Sequence, residues 1–171
     1  MFTATPAPGR EKAALYASLV GQLRAMLTGE RDWLANTANT AALLFASLPD
    51  LNWAGFYLVR PPRTDELVLG PFQGRPACVR IALGRGVCGT AAKARESVVV
   101  PDVREFPDHI ACDAASRSEL VVPMLEAGGR LLGVLDLDSP SADRFDDEDR
   151  VGCEKLVAAL VEATTFPPFE P

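Results

Sequence analysis

The chain has 171 residues, 48% of them hydrophobic, and carries 17 Lys and Arg against 23 Asp and Glu, a net charge of -6 with an isoelectric point near 4.8. That length suits one domain with a substantial core and leaves no room for a second. Scattered basic residues argue against nucleic acid as a partner, and without a long apolar run or a signal-like start over residues 1–8 the expectation is a soluble, cytoplasmic protein off the membrane.

Residues 1–10 read as a flexible N-terminal segment, 11–165 as the folded domain and 166–171 as a proline-rich tail. From Glu11 to Leu27, Leu15, Leu19, Leu23, Met26 and Leu27 recur at helical spacing with charges between them. A second amphipathic helix starts near Arg31 or Asp32 and runs to Ser47, stopped by Pro49. Short strand-like runs follow: Trp53 to Val59, Glu66 to Gln73, Cys78 to Ile81, Ser97 to Val100, Glu119 to Glu126 and Arg130 to Asp138. Small residues over Gly86 to Ala94 predict a short helix, and Ala127-Gly128-Gly129 predicts a tight antiparallel hairpin between the last two strands. The acids Asp146 to Asp149 open a last helix whose stripe is Val151, Leu156, Val157, Leu160 and Val161. The expected fold is α+β: a central antiparallel sheet of about six strands flanked by N- and C-terminal helices.

Cys78, Cys88 and Cys112 lie in segments broken by glycine, proline or polar clusters, and are therefore expected to be more accessible than core cysteines. Taken singly, each is also explained by inert packing. A disulfide framework belongs to small, core-poor secreted domains, and a zinc site is disfavoured because no cysteine pair has ribbon spacing and His109 is the only histidine. Reduced or catalytic thiols fit better.

The stretches Asn52-Trp53-Ala54-Gly55-Phe56-Tyr57, Gly84-Arg85-Gly86-Val87-Cys88-Gly89, His109-Ile110-Ala111-Cys112-Asp113 and Gly133-Val134-Leu135-Asp136-Leu137-Asp138-Ser139-Pro140 resemble, in the same order, the free methionine-(R)-sulfoxide reductases, which are single GAF domains. The resemblance spans roughly residues 30 to 162, and its last stretch is common to many GAF domains and so speaks to fold more than activity. It implies reduction of free methionine sulfoxide, with Cys112 as attacking cysteine, Cys78 as principal resolving cysteine and Cys88 as a further thiol. It also implies thioredoxin as external reductant, no bound cofactor or metal, and a homodimer. Cys153 matches no family position and reads as core or helix surface.

The chemistry asks for a nucleophile at sulfur and a proton for the departing oxygen. Oxygen transfer leaves a cysteine sulfenic acid, which condenses with a nearby thiol. The α-carbons of the two cysteines must then approach to about 6 Å, so the Cys112 loop and the strand carrying Cys78 are expected to be neighbours or to move. A mobile lid is expected over Arg104 to Ser118. Glu119, Asp136 and Asp138 are the candidate pocket acids, since Asp136 and Asp138 alternate with Leu135 and Leu137 and share a strand face. Crowding and burial would keep a proton on such acids, and they also suit an amino acid's ammonium group; a solvated strand end is the competing explanation for Asp138. Trp53 and Tyr57, four apart on one strand, present one aromatic face suited to a methyl thioether, or simply pack the core. His109, three residues before Cys112, either assists it or bonds to backbone. Two other classes stay open: a GAF sensor of small molecules, and a redox scaffold without turnover. Against nucleotide sensing, Phe145 and Asp149 have the Phe-x-x-x-Asp spacing of cyclic-nucleotide GAF domains, but Arg150 stands where Glu follows.

Overall fold

The computed structural model describes residues 8–108 and 114–167. Two helices lead: α1 (Pro8–Met26) and α2 (Trp33–Ser47). Then come β1 (Trp53–Arg60), β2 (Arg63–Gly74), β3 (Arg80–Ala82), α3 (Gly86–Ala94), β4 (Val98–Val100), β5 (Ser118–Leu125), β6 (Leu131–Ser139) and α4 (Asp147–Ala163). The six strands form one sheet in the order β3-β2-β1-β6-β5-β4, antiparallel at every pairing. The α+β architecture and the boundaries of α3 agree with the sequence reading. The hairpin also closes as expected, with Gly129 at φ 78 and the Glu126 amide donating to the Arg130 carbonyl at 3.1 Å.

Alternation along the strands divides the interior into two cores. Ala54, Phe56, Leu58, Leu120, Val122, Met124, Leu135 and Leu137 face α1, α2 and α4 and join Leu19, Leu23, Leu44, Leu156 and Leu160 in the larger one. The intervening positions Trp53, Tyr57, Val59, Val121 and Val134 point to the opposite face, where they meet Val87, Cys88, Ala91 and Ala92 of α3. The helices on the first face are capped by acids: Asp32 accepts from the Ala35 amide at 2.8 Å, and Asp146 and Asp149 form a reciprocal capping box on α4. No helix among the described residues is long and apolar enough to cross a membrane.

Two local expectations are corrected. The third strand starts at Arg80, so Cys78 lies in the β2–β3 connection rather than on a strand; its carbonyl accepts from the Tyr57 hydroxyl instead of joining the sheet ladder. The segment 104–118 is not uniformly loose, because a 3-10 turn at Val103–Glu105 opens it with Val103 buried, and Phe106 packs against the smaller core. Asp102 ties both ends, bonding Arg104 at 2.7 Å and Arg117 at 2.9 Å, and Asn52 donates to the Ser116 hydroxyl at 3.0 Å. The centre of the expected lid, residues 109–113, lies outside the described residues.

The α1–α4 contact depends on a glycine. A Cβ at Gly152 would meet the Tyr16 ring at 2.2 Å, while the Tyr16 hydroxyl donates to buried Asp149 at 2.8 Å. Asp149 also receives Lys12 at 2.6 Å and Arg144 at 3.2 Å, so its carboxylate is paired despite burial. Gly152→Ala should destabilise the fold by about 1–3 kcal/mol through overpacking, read as a lower urea midpoint at unchanged slope.

Candidate functional site

Strand register gathers the candidate side chains on the α3 face of the sheet. Trp53 of β1 pairs with Asp138 of β6, which pairs in turn with Glu119 of β5, so the three stand in one row; Gly55 and Asp136 begin the next. From above, α3 presents Cys88. The cleft between is lined by Trp53, Tyr57, Arg75, Pro76, Ala77, Ile81, Arg85, Gly86, Val87, Cys88, Ser116, Glu119, Asp136 and Asp138.

Its wall is aromatic. Trp53 stacks on Tyr57 at 5.8 Å between ring centroids and on Phe72 at 5.3 Å. Gly55 makes this possible, because a Cβ there would lie 2.6 Å from the indole and 2.3 Å from the Phe72 Cβ. Each ring also holds the β2–β3 connection by its polar end: the Trp53 indole N–H donates to the Arg75 carbonyl at 3.2 Å, and the Tyr57 hydroxyl to the Cys78 carbonyl at 3.0 Å. The face shared by the two rings was legible from their spacing; their grip on the segment carrying Cys78 was not.

The floor is acidic. Glu119 and Asp136 are 6% and 5% exposed, and the Cys88 thiol donates to Glu119 Oε1 at 3.8 Å. Burial, with the neighbouring Asp138 charge second, pushes the Glu119 carboxyl well above its ordinary range, against the opposing effect of bonds with Cys88 and Asp136. Burial and the Glu119 charge push Asp136 up likewise. Cys88 is raised first by burial and then by the charges of Asp136, Glu119 and Asp138, so it stays a thiol at neutral pH. Asp136 Oδ1 has no hydrogen-bond partner among the described residues. Asp138, half-buried, lines the cleft and its charge raises the Glu119 carboxyl, so it is more than a solvated strand end.

The cysteines separate. Cys88 contradicts the expected accessibility: it is 4% exposed, because the small residues of α3 let the helix settle closely on the sheet and carry the thiol inward. Cys78 is half-buried directly after Ala77 of the cleft lining. Cys112 and His109 fall outside the described residues. Cys153 is fully buried in the larger core, with burial raising its thiol to about 12, which agrees with a packing role. The grouping that the sequence did not reveal is Cys88 with Glu119 and Asp136, whose potential ligand atoms lie within 4.8 Å of one another.

Two buried carboxyls that prefer their protons oppose folding once pH rises through their unfolded values, because native-state ionisation is then resisted. Their stabilising contribution is present at low pH and declines as pH rises toward the elevated native values. Glu119→Gln combined with Asp136→Asn should therefore raise the melting temperature more at pH 8 than at pH 4, by about 2–4 °C for each kcal/mol relieved. An equal or opposite shift at the two pH values would show that the carboxyls are not held protonated.

A GAF domain model matches residues 24–163. The chain is 52% identical over 156 residues to the Escherichia coli free methionine-R-sulfoxide reductase, covering 90% of this chain and 92% of that protein. It is 40% identical over 159 residues to the Saccharomyces cerevisiae protein of the same name, covering 91% and 88%. The crystal structure of the Neisseria meningitidis free methionine-R-sulfoxide reductase in complex with its substrate superposes with a TM-score of 0.84 at 48% identity, covering 95% of this chain and 93% of that one. With six antiparallel strands and four helices among the described residues, and a cleft of aromatic rings and buried acids, the chain belongs to the GAF-domain family of free methionine-R-sulfoxide reductases.

Proposed function

We propose that this protein is an oxidoreductase that reduces free L-methionine-(R)-sulfoxide to L-methionine by thiol chemistry. The observation that carries the reading is the convergence of an aromatic wall and two proton-holding carboxyls on one cleft beside the segment bearing Cys78. Substrate recognition follows from that lining: Trp53 and Tyr57 take the methyl thioether end through apolar and sulfur–aromatic contact, and Asp138 is suited to the ammonium group. A cleft of this kind favours a free amino acid over a peptide.

In the proposed cycle Cys112 attacks the sulfoxide sulfur. Glu119 or Asp136 protonates the oxygen, which transfers to the Cys112 sulfur as methionine leaves with the electron pair, and the carboxyl regains its proton from the attacking thiol. The sulfoxide is reduced by two electrons and Cys112 is oxidised to a sulfenic acid. The Cys78 thiol then attacks that sulfur, forming a disulfide and releasing water. Thioredoxin reduces the disulfide by exchange, a step at home in the reducing cytoplasm. Burial and a raised thiol pKa make Cys88 a poor exchange partner, so Cys78 takes the resolving role.

A nucleotide-sensing role draws less support. Asp149, the residue at the motif spacing, is consumed by Tyr16, Lys12 and Arg144, and Arg150 pairs with Asp147 and Glu154. A homodimer is part of the proposal: the exposed Leu34 and Phe45 are three turns apart on α2 and share one face. Phe45→Glu should then convert a dimer to a monomer in light scattering.

Reduced protein incubated with free L-methionine-(R)-sulfoxide should release methionine with loss of two thiols per turnover, and Cys112→Ser should release none. Cys78→Ser should permit one round of release but no cycling with thioredoxin. Equal reaction of peptide-bound or (S)-sulfoxide would defeat the specificity, and sustained cycling in Cys78→Ser would move resolution to Cys88.

A further inference from the structure

The cluster beneath the cleft has the composition and spacing of a metal centre. Cys88, Glu119 and Asp136 come from three different elements, α3, β5 and β6, yet one potential ligand atom of each lies within 4.8 Å of the other two. The Cys88 sulfur is 3.8 Å from Glu119 Oε1. A tetrahedral zinc ion bound to sulfur at about 2.3 Å and to a carboxylate oxygen at about 2.1 Å spaces those two ligands about 3.6 Å apart. The Cys88–Glu119 pair is thus a few tenths of an ångström from coordinating distance, and Asp136, within 4.8 Å of both, closes the set by a side-chain adjustment.

A second observation is the state of Asp136. Its carboxyl is 95% removed from solvent by the 5% exposure of the residue, and Oδ1 finds no hydrogen-bond partner among the described residues. Buried carboxyl oxygens are normally bonded, so an unpartnered oxygen beside a thiol and a second carboxyl points to a ligand. The donor set selects the ion: a thiolate disfavours magnesium and calcium, while one sulfur and two carboxylate oxygens suit zinc.

We propose that Cys88, Glu119 and Asp136 form a zinc(II) site whose fourth coordination position opens into the cleft, so that zinc and methionine sulfoxide exclude each other. Three protein ligands with one open position is an established zinc arrangement. Binding displaces the thiol proton and the protons held by the two carboxyls, with no change of oxidation state. One thiolate and two carboxylates around the divalent ion leave a single net negative charge. Metal binding stands independently of the reductase reading; the exclusion of substrate rests on it.

The test uses the chain carrying Cys78→Ser and Cys112→Ser, kept reduced, so that neither thiol of the proposed cycle competes for metal. Calorimetric titration with zinc is expected to show one ion per chain, and cobalt(II) should give the near-ultraviolet thiolate-to-cobalt charge-transfer band. Adding Cys88→Ala should abolish the band, and Glu119→Gln or Asp136→Asn, which keep the shape of the side chain, should each weaken zinc binding at least about tenfold, or 1.4 kcal/mol. Excess free methionine sulfoxide should bleach the cobalt band. No zinc uptake by the folded chain, or a band that survives Cys88→Ala, overturns the site; a band indifferent to methionine sulfoxide overturns the exclusion. Methionine release by the unsubstituted chain without metal separately reads the reductase proposal, so the two failures are distinguishable.

Discussion

Everything around the cleft depends on holding acids in a buried space that resists their ionisation. Glu119 and Asp136 sit side by side under Cys88, and neither burial nor their mutual repulsion tolerates full ionisation. Asp149 is likewise buried but is surrounded by Lys12, Arg144 and the Tyr16 hydroxyl. Asp149 is a structural acid that holds α1 to α4 through these partners. Burial and neighbouring charge instead push Glu119 and Asp136 toward the protonated form, which is the form the proposed proton transfer to a sulfoxide oxygen requires.

The aromatic wall works as a strut as well as a surface. Trp53 and Tyr57 stack over the glycine at position 55 and reach across to the carbonyls of Arg75 and Cys78. The face that would hold a methyl thioether is thereby joined to the segment bearing the proposed resolving cysteine. Large apolar surface fixes the rings, and their polar ends convert that rigidity into the position of a loop. On the other side of the cleft, Asp102 performs a similar task with charge, fastening Arg104 and Arg117 at the two ends of the segment that carries Cys112.

Much of the architecture was readable in advance because local rules and global packing agree here. Pro49 ends α2, Asp146 and Asp149 cap α4, and the glycines at 128 and 129 turn the β5–β6 hairpin. Where prediction slipped, a tertiary contact had overruled local pattern. Cys78 reads as the first residue of a strand, but the Tyr57 hydroxyl takes its carbonyl out of the ladder. Cys88 reads as accessible because glycines surround it, but those small residues are what let α3 approach the sheet and bury the thiol.

The sequence by itself determined which residues share a face: period-two alternation aligned Trp53 with Tyr57 and Asp136 with Asp138, and the motif order identified the family. Only the tertiary structure decided which faces meet. Strand order β1-β6-β5 lays Trp53, Asp138 and Glu119 in one row, and the crossover through α3 drops Cys88 onto Glu119 and Asp136 from 31 and 48 residues away in the chain. Side-chain direction is a local property of the backbone, but proximity across strands and layers is set by pairing and packing over the whole fold. Protonation follows proximity, since burial and neighbouring charge exist only once the chain has folded.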